Sequence, residues 1–282
     1  MSIDKIQIYD PLAKNRELPR FFSCCCYAMR RSGKGVFTHW LINKIHKKHK
    51  FTSVAIFSAT CKLQEYEDEW MFIPSDRKFD KFSNSKLNEI IDEHKKDVIK
   101  WKENKVGVQP NLLLIIDDLM SPTGSKEESI FYSKAVCDLY TLGRHYFISC
   151  ISLLQSITSS IPTMSRKNCD LVVWFRSQNK KDLDTMINDY LMIADKSTKE
   201  AKAFLMKITE VQYTAIGVDA KLGQYAKDYS DFCFSVQAKE VKPNFMIGGT
   251  KNENKINPVK TDYGFRAKPT KKGTKLTLSF NT

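Results

Sequence analysis

The stretch from Phe21 to Thr38 constrains the fold of this 282-residue chain more than any other. It reads FFSCCCYAMRRSGKGVFT, which is an apolar strand-forming run, a basic loop with glycines, and the start of an amphipathic helix. A loop between a strand and a helix N-terminus aims backbone N–H groups and the positive end of the helix dipole at one point. This order predicts a cradle for phosphate groups, in which Lys34 contacts the terminal phosphates.

The loop departs from the Walker A pattern, which is Gly, four residues, Gly-Lys, and Ser or Thr. The corresponding residues here are Ala28, Gly33, Lys34 and Gly35. Ala28 suits a turn with negative φ, whereas Gly35 removes the hydroxyl that normally binds Mg²⁺. Water, Thr38 or Asp117 must then take that ligand position, or nucleotide binding is weaker. The alternative is that the Gly-Lys pair belongs to an ordinary basic turn.

A later apolar run ends in two adjacent carboxylates. The segment NLLLIIDDLM is typical of a strand buried on both faces, and Asp117 and Asp118 follow its apolar residues. The carboxyl ends of parallel strands face the ligand crevice, so a carboxylate there is a metal ligand or a general base. The alternative is a carboxylate that caps the following turn or helix.

Polar residues also end other predicted strands. Gln155 follows the run YFISCISLL, where it can contact a γ-phosphate or orient an attacking water, or else cap a loop. The strand SVAIFSAT contains Ser58, for which a role at the strand end and a plain core position are both open. Arg176 ends the run LVVWFR.

Strand-like and helical segments alternate from Phe21 to Val218, which predicts an α/β fold with a mostly parallel sheet covered by helices on both faces. One domain is expected over residues 21–236. It follows a polar lead-in, residues 1–20, and precedes a basic tail, residues 237–282, suited to phosphate contacts, subunit packing or solubility.

Three local expectations complete this prediction. A helix is expected from about Lys126 to Leu142, with Gly143 as its stop. YTAIGVDA is expected to be the last strand. Residues 62–82 show no clear period and are predicted to be irregular or peripheral.

Charge and cysteine content narrow the function class. Lys and Arg total 45 against 32 Asp and Glu, a net charge of +13, which favours a polyanionic partner such as nucleic acid.

The eight cysteines form no CxxC pair, which favours reduced, buried thiols in an intracellular setting over a zinc site. No apolar run approaches the ~20 residues that cross a bilayer, so a soluble protein is expected.

The motifs in their order resemble a known family. AMRRSGKG, SVAIFSAT, LLLIIDDLM, LGRHYFISCISLLQS and IPTMSRKNCDLVVWFR are similar to segments of the poxvirus-type genome-packaging ATPases of large DNA viruses and virophages. These belong to the FtsK–HerA branch of the additional-strand P-loop ATPases, with a RecA-like sheet. The resemblance covers about residues 20–218, and the GRH element before the strand that ends in Gln is its most diagnostic part.

The resemblance implies a ring-forming homo-oligomeric motor that hydrolyses ATP with Mg²⁺ and moves double-stranded DNA into a capsid. Capsid or portal-vertex proteins would be its partners, in the host cytoplasm or viral factory and in the virion. The phosphate-binding residues it implies are Arg31, Ser32, Gly33, Lys34, Gly35 and Val36. The metal ligands it implies are Asp117 and, in place of the missing hydroxyl, Thr38. The catalytic residues it implies are Asp118, which polarises water, Gln155, which senses the γ-phosphate, and one arginine finger among Arg144, Arg166 and Arg176.

Two other functions stay open. The first is a relative with weak hydrolysis that serves as a structural or DNA-binding component of a virion or assembly complex, which Ala28 and Gly35 favour. The second is another nucleic-acid-dependent ATPase, such as a helicase or a terminase-like motor.

Overall fold

The computed structural model describes residues 5–14, 17–63, 69–117, 119, 130–241 and 243–248. Eight strands form one sheet: β1 Ser23–Tyr27, β2 Ser53–Ser58, β3 Lys78–Phe79, β4 Leu112–Asp117, β5 Ile148–Leu154, β6 Leu171–Phe175, β7 Ala215–Asp219 and β8 Cys233–Val236. Their order across the sheet is β3-β2-β4-β5-β1-β6-β7-β8. The strand that leads into the glycine loop, β1, therefore lies inside the sheet, between β5 and β6.

Six of the strands, from β3 to β6 in this order, are parallel to their neighbours. β4 is buried along its whole length, as its unbroken apolar run predicts. The register places Ser58 of β2 beside Asp117, and Asp117 beside Leu153 of β5. The ends of β1, β2, β4, β5 and β6 therefore share one edge of the sheet, called the carboxyl edge below. The predicted α/β fold with a mostly parallel sheet is confirmed.

Helices cover both faces of the sheet: α1 Lys34–Lys48, α2 Asn84–Asn104, α3 Lys134–Leu142, α4 Ile157–Ser160, α5 Thr163–Lys167, α6 Lys180–Met186 and α7 Thr198–Ile208. Alternate residues of β1 enter two separate cores. Cys24 and Cys26 pack with the apolar residues of α1, whereas Cys25 and Tyr27 pack with those of α2, α3, α6 and α7. This alternation follows from the two-residue period of a strand.

The sheet continues one strand further than predicted. β7 lies within YTAIGVDA, but it is antiparallel to β6, and β8 then pairs antiparallel with β7. β8 has only four residues, too short for its alternation to be distinguished from loop sequence. Residues 62–82, predicted to be irregular or peripheral, contribute the two-residue strand β3 at the edge of the sheet.

The helix predicted from about Lys126 begins later in the described part of the chain. A 3-10 turn occupies Ile130–Tyr132, and α3 starts at Lys134, where the Ser133 side chain accepts a backbone N–H of the first turn. Lys126 itself lies outside the described residues. Gly143 ends α3 as predicted, and the chain continues from it as a further 3-10 turn.

The flanking segments pack onto the sheet where they are described. Tyr9 donates its backbone N–H to Ser235 of β8 at 2.8 Å, and Ile247 donates to Phe72 at 3.0 Å. The domain limits at 21 and 236 stay predictions, and residues 249–282 of the basic tail lie outside the described residues. Among the described helices, none is long and apolar enough to span a membrane. All eight cysteines are free thiols, and seven of them are buried.

Candidate active site

The loop after β1 forms a tight turn at the carboxyl edge. The backbone N–H of Ala28 donates to the Leu154 carbonyl at 2.9 Å, which continues the pairing of β1 with β5. Ser32 folds back on Met29, since its backbone N–H and its hydroxyl both donate to the Met29 carbonyl. Arg31 takes a left-handed conformation with φ 62°. The segment RRSGKG thus adopts a compact turn between strand and helix, as the sequence predicts.

Gly33 is the position at which this turn requires glycine. Its φ of 102° lies in the left-handed region, and it forms the N-cap of α1. A Cβ there would lie 3.5 Å from both Phe175 and Tyr213, an ordinary contact, so the backbone angle and not crowding favours glycine. The first turn of a helix has N–H groups without intrahelical acceptors, here including Gly35 and Val36. With no acidic residue in that turn, these groups suit an anion.

Lys34 and Asp117 meet across the carboxyl edge. The Nζ atom of Lys34 lies 3.2 Å from Oδ1 of Asp117, and the hydroxyl of Ser58 donates to Oδ2 at 3.0 Å. Both side chains of the ion pair are largely buried, with 18% of Lys34 and 10% of Asp117 exposed. The loop of β1, the end of β4 and the end of β2 therefore converge, and Ser58 has a role at the strand end in addition to its core position.

Glu69, which was not among the predicted site residues, occupies the space beside Gly35. A Cβ on Gly35 would come within 2.5 Å of Oε1 of Glu69, so the Glu69 carboxylate lies where a Ser or Thr side chain would stand. Burial raises the pKa of the Glu69 carboxyl, Asp117 raises it further, and Lys34 lowers it. Glu69 therefore belongs to the same charged group as Lys34 and Asp117.

The residues at this edge fit a magnesium ion. Asp117, Glu69 and Ser58 offer only oxygen atoms, which are the ligands that Mg²⁺ prefers. Mg²⁺ in nucleotide sites is held by one or two carboxylates together with phosphates and water. The described residues contain no group of three or more His, Cys, Asp or Glu side chains that could hold a metal. The nucleotide would therefore have to complete the coordination sphere.

The role of Thr38 as a metal ligand in place of the missing hydroxyl stays a prediction. Thr38 is fully buried, one turn into α1, and its hydroxyl donates to the Lys34 carbonyl at 2.8 Å. Threonine inside a helix commonly forms this bond to the carbonyl four residues earlier. Asp118, predicted to polarise the attacking water, lies outside the described residues.

Gln155 lies next to the glycine loop. It directly follows β5, and with Ala28, Met29, Phe175 and Ser177 it lines a small crevice at the carboxyl edge. The crevice joins the start of the loop to the ends of β5 and β6. Gln155 is thus at the edge that the sequence predicts, and its role as a γ-phosphate sensor stays a prediction.

The three candidate arginines differ in exposure. Arg166 is buried, its Nη2 lies 2.8 Å from Oδ2 of Asp189, and its Nη1 donates to the Ile161 carbonyl at 2.9 Å. Its guanidinium is therefore engaged within its own subunit, which favours Arg144 and Arg176 as finger candidates. Arg176 is exposed directly after β6 at the carboxyl edge, and Arg144 is exposed before β5 at the opposite edge.

The sequence matches the family model described as Poxvirus A32 protein over residues 15–244. No curated protein matches the chain by sequence.

Solved structures share the fold at low sequence identity. The genome packaging NTPase B204 from Sulfolobus turreted icosahedral virus 2, in complex with ATP-gammaS, has a TM-score of 0.52 at 17% identity, over 78% of this chain and 98% of that chain. Its complex with AMP has a TM-score of 0.53 at 16% identity, over 79% and 100%. The conjugation coupling protein TcpA of pCW3 with ATPgS has a TM-score of 0.51 at 12% identity, over 85% and 71%.

Proposed function

Since this chain belongs to the Poxvirus A32 protein family, we propose that it is an ATP-driven motor that moves double-stranded viral DNA into a preformed capsid. The observation that carries the proposal is the 3.2 Å pair of Lys34 and Asp117 beside the glycine loop. It joins a phosphate-binding lysine to a carboxylate at the end of a neighbouring strand, an arrangement that phosphoryl transfer requires. The B204 structures with ATP-gammaS and AMP support an adenine nucleotide as the ligand.

The glycine loop has the parts to hold the phosphates. Lys34 would exchange Asp117 for the oxygens of the β- and γ-phosphates, and the backbone N–H groups from Gly33 to Val36 would surround them. Arg31 precedes these groups and is exposed on the loop. Most of the rate acceleration would come from this positioning and charge neutralisation.

Water attacks the γ-phosphorus as the bond to the bridging oxygen breaks, which yields ADP and phosphate. Gln155 would sense the γ-phosphate, and Asp118 would polarise that water. Asp117 would hold the nucleotide's Mg²⁺, which supplies positive charge for the phosphate oxygens. Arg144 or Arg176 would act from a neighbouring subunit of a homo-oligomeric ring, because an arginine finger contributes strongly to phosphoryl transfer.

The net charge of +13 supports DNA as the partner. A packaging motor must hold any sequence, and contacts from Lys and Arg to the phosphate backbone do not depend on sequence. Capsid or portal-vertex proteins would receive the DNA, and the motor would act in the host cytoplasm and in the virion.

ATP hydrolysis measured with and without double-stranded DNA tests this proposal. We expect turnover that DNA stimulates and that Lys34→Ala abolishes, while Lys47→Ala, an exposed lysine of α1, keeps it. Wild-type turnover no higher than that of Lys34→Ala would overturn the proposal that this protein is a motor. Separation of DNA strands during turnover would favour a helicase.

A second candidate function is a structural or DNA-binding virion component with weak hydrolysis. The observation that favours it is Gly35, since the residue after Lys34 supplies no hydroxyl and a carboxylate stands beside it. ATP binding without turnover, together with DNA binding, would support this candidate.

A further inference from the structure

Glu69 and Gly35 form a matched pair. A Cβ at Gly35 would meet only Glu69 among its nearest atoms, with 2.5 Å to Oε1 and 3.7 Å to Cδ. A Cβ contact below about 3.0 Å requires a shift, so a side chain at Gly35 would move the Glu69 carboxylate, which is the end of a flexible side chain, from its present position. Gly35 leaves the loop without the Walker A hydroxyl, and the absence of a side chain there leaves room for the carboxylate oxygen of Glu69.

The position of Glu69 is built into the fold. His39 lies four residues after Gly35, on the same face of α1. Trp70 and Phe72 pack edge-on against the His39 ring, with centroid distances of 5.3 and 5.8 Å. Both aromatic residues are almost completely buried. The segment that carries Glu69 is therefore anchored on the face of α1 that contains Gly35.

The charges at the site call for another cation once a nucleotide binds. Lys34 interacts with both carboxylates, since it pairs with Asp117 and lowers the pKa of Glu69. If Lys34 turns to the phosphates, its positive charge moves away from the buried carboxylate of Asp117 and the half-buried carboxylate of Glu69. Both carboxylates then lie near the negative charge of the phosphates. A divalent cation between them and the phosphates would balance all three.

We propose that Glu69 supplies the protein oxygen that the Walker A Ser or Thr normally supplies to the nucleotide-bound divalent cation. The inference rests on the proposed function, because it needs a nucleotide in the cradle. The alternative is that the Glu69 carboxylate blocks the phosphates. Removing the charge of Glu69 should weaken nucleotide binding with Mg²⁺ if it is a ligand and strengthen it if it blocks the phosphates.

The test measures ATPγS binding by calorimetry with Mg²⁺ and with EDTA, and Mn²⁺ binding to the ATPγS complex by electron paramagnetic resonance. The variants are Glu69→Gln, which keeps the shape of the side chain, and Gly35→Ser/Glu69→Ala, which returns a hydroxyl and removes the carboxylate. Glu89→Gln, an exposed acid on α2, is the matched control. Thermal unfolding checks that each variant folds.

We expect Glu69→Gln to lower the Mn²⁺ affinity of the complex by about tenfold or more. ATPγS binding in EDTA should be unchanged or tighter, because no cation is then present to balance the Glu69 charge. The double variant should regain most of the lost affinity, which a purely structural role for Glu69 would not explain.

Three results would overturn the inference. Mn²⁺ affinity in Glu69→Gln equal to that of the control would show that Glu69 is no ligand. Tighter ATPγS binding by Glu69→Gln with Mg²⁺ as well as in EDTA would show a blocking carboxylate. If the wild-type protein binds no ATPγS in either buffer, the proposed function fails as well, whereas the first two results leave it standing.

Discussion

The amino group of Lys34 lies 3.2 Å from Oδ1 of Asp117, so an ion pair joins the glycine loop after β1 to the end of β4. Ser58 of β2 holds the other carboxylate oxygen at 3.0 Å. Phosphate groups in the cradle would compete with Asp117 for Lys34. Nucleotide binding therefore has to separate an ion pair that is largely shielded from water.

Asp117→Asn is predicted to reduce the effect of Mg²⁺ on nucleotide binding. Without the negative charge, Lys34 is released toward phosphate, so we expect ATPγS binding in EDTA to be unchanged or tighter. The gain in affinity from Mg²⁺ should fall by about 10- to 100-fold. Calorimetry with Mg²⁺ and with EDTA measures both effects, with Asp138→Asn on α3 as a control. A loss of binding in EDTA as large as that of Lys34→Ala would contradict this account.

Arg166→Ala is predicted to reduce stability. The guanidinium pairs with Asp189 and also donates to Ile161 and Thr163, and only 11% of its side chain is exposed. Removing one partner of a buried pair typically costs about 3–5 kcal/mol, and the 20% exposure of the Asp189 side chain places this case toward the lower end.

Urea denaturation measures the change in the free energy of unfolding. Arg144→Ala is the control, since an exposed substitution typically changes stability by less than about 0.5 kcal/mol. Wild-type stability combined with lost turnover in Arg166→Ala would support Arg166 as a finger candidate.

Local patterns were sufficient to predict the elements around Lys34 and Asp117. A strand, a glycine loop and a helix follow one another directly, and an apolar run that ends in carboxylates marks a buried parallel strand. Gln155 lies at the predicted edge for the same reason. These features depend on neighbours in the sequence, so the sequence alone reveals them.

Glu69 could not be predicted in this way. It stands in EYEDEW among four acidic residues without a helical or strand period. Its approach to Gly35 depends on the packing of Trp70 and Phe72 against His39, which is a contact between distant parts of the chain. The hydrogen bond from Thr38 to the Lys34 carbonyl was not predicted either, although the acceptor lies within the same helix.

His46 is predicted to make the protein less stable in acid. Burial, with a smaller effect of Lys50, lowers the pKa of His46 to about 4. Its Nδ1 accepts the backbone N–H of Phe51 at 3.2 Å, and its ring stacks on Phe245 with a centroid distance of 4.2 Å. The hydrogen bond requires an unprotonated Nδ1, and the stacking on Phe245 suits an uncharged ring.

The free energy of unfolding falls in acid because the pKa of His46 is lower in the folded protein than in the unfolded chain. An unfolded histidine takes up its proton near pH 6.5, well above the folded value, so the stabilising effect of a neutral His46 is complete above about pH 6.5. It is lost as the pH falls toward 4. We expect His46→Gln to lose less free energy of unfolding than the wild type between about pH 7 and pH 5, measured by urea denaturation. The exposed His145→Gln should behave like the wild type; an equal loss in His46→Gln would contradict the prediction.

The last prediction separates Arg144 from Arg176. Both are exposed, but Arg176 lies at the carboxyl edge and Arg144 at the opposite edge. If one of them is a finger, its replacement by Ala should lower DNA-stimulated turnover by about 10³-fold or more, with ATPγS binding unchanged. The other replacement should have a much smaller effect.

Mixing subunits tests whether the finger acts on a neighbour. A finger variant keeps an intact cradle, and Lys34→Ala keeps an intact finger, so a mixed ring contains sites in which both are present. We expect turnover in the mixture to exceed the sum of the two separate proteins, whereas a mixture of Lys34→Ala with Asp117→Asn should not, because each of these damages its own cradle. No gain on mixing would place the arginine in its own subunit's site, and unchanged turnover in both Arg144→Ala and Arg176→Ala would exclude them as fingers.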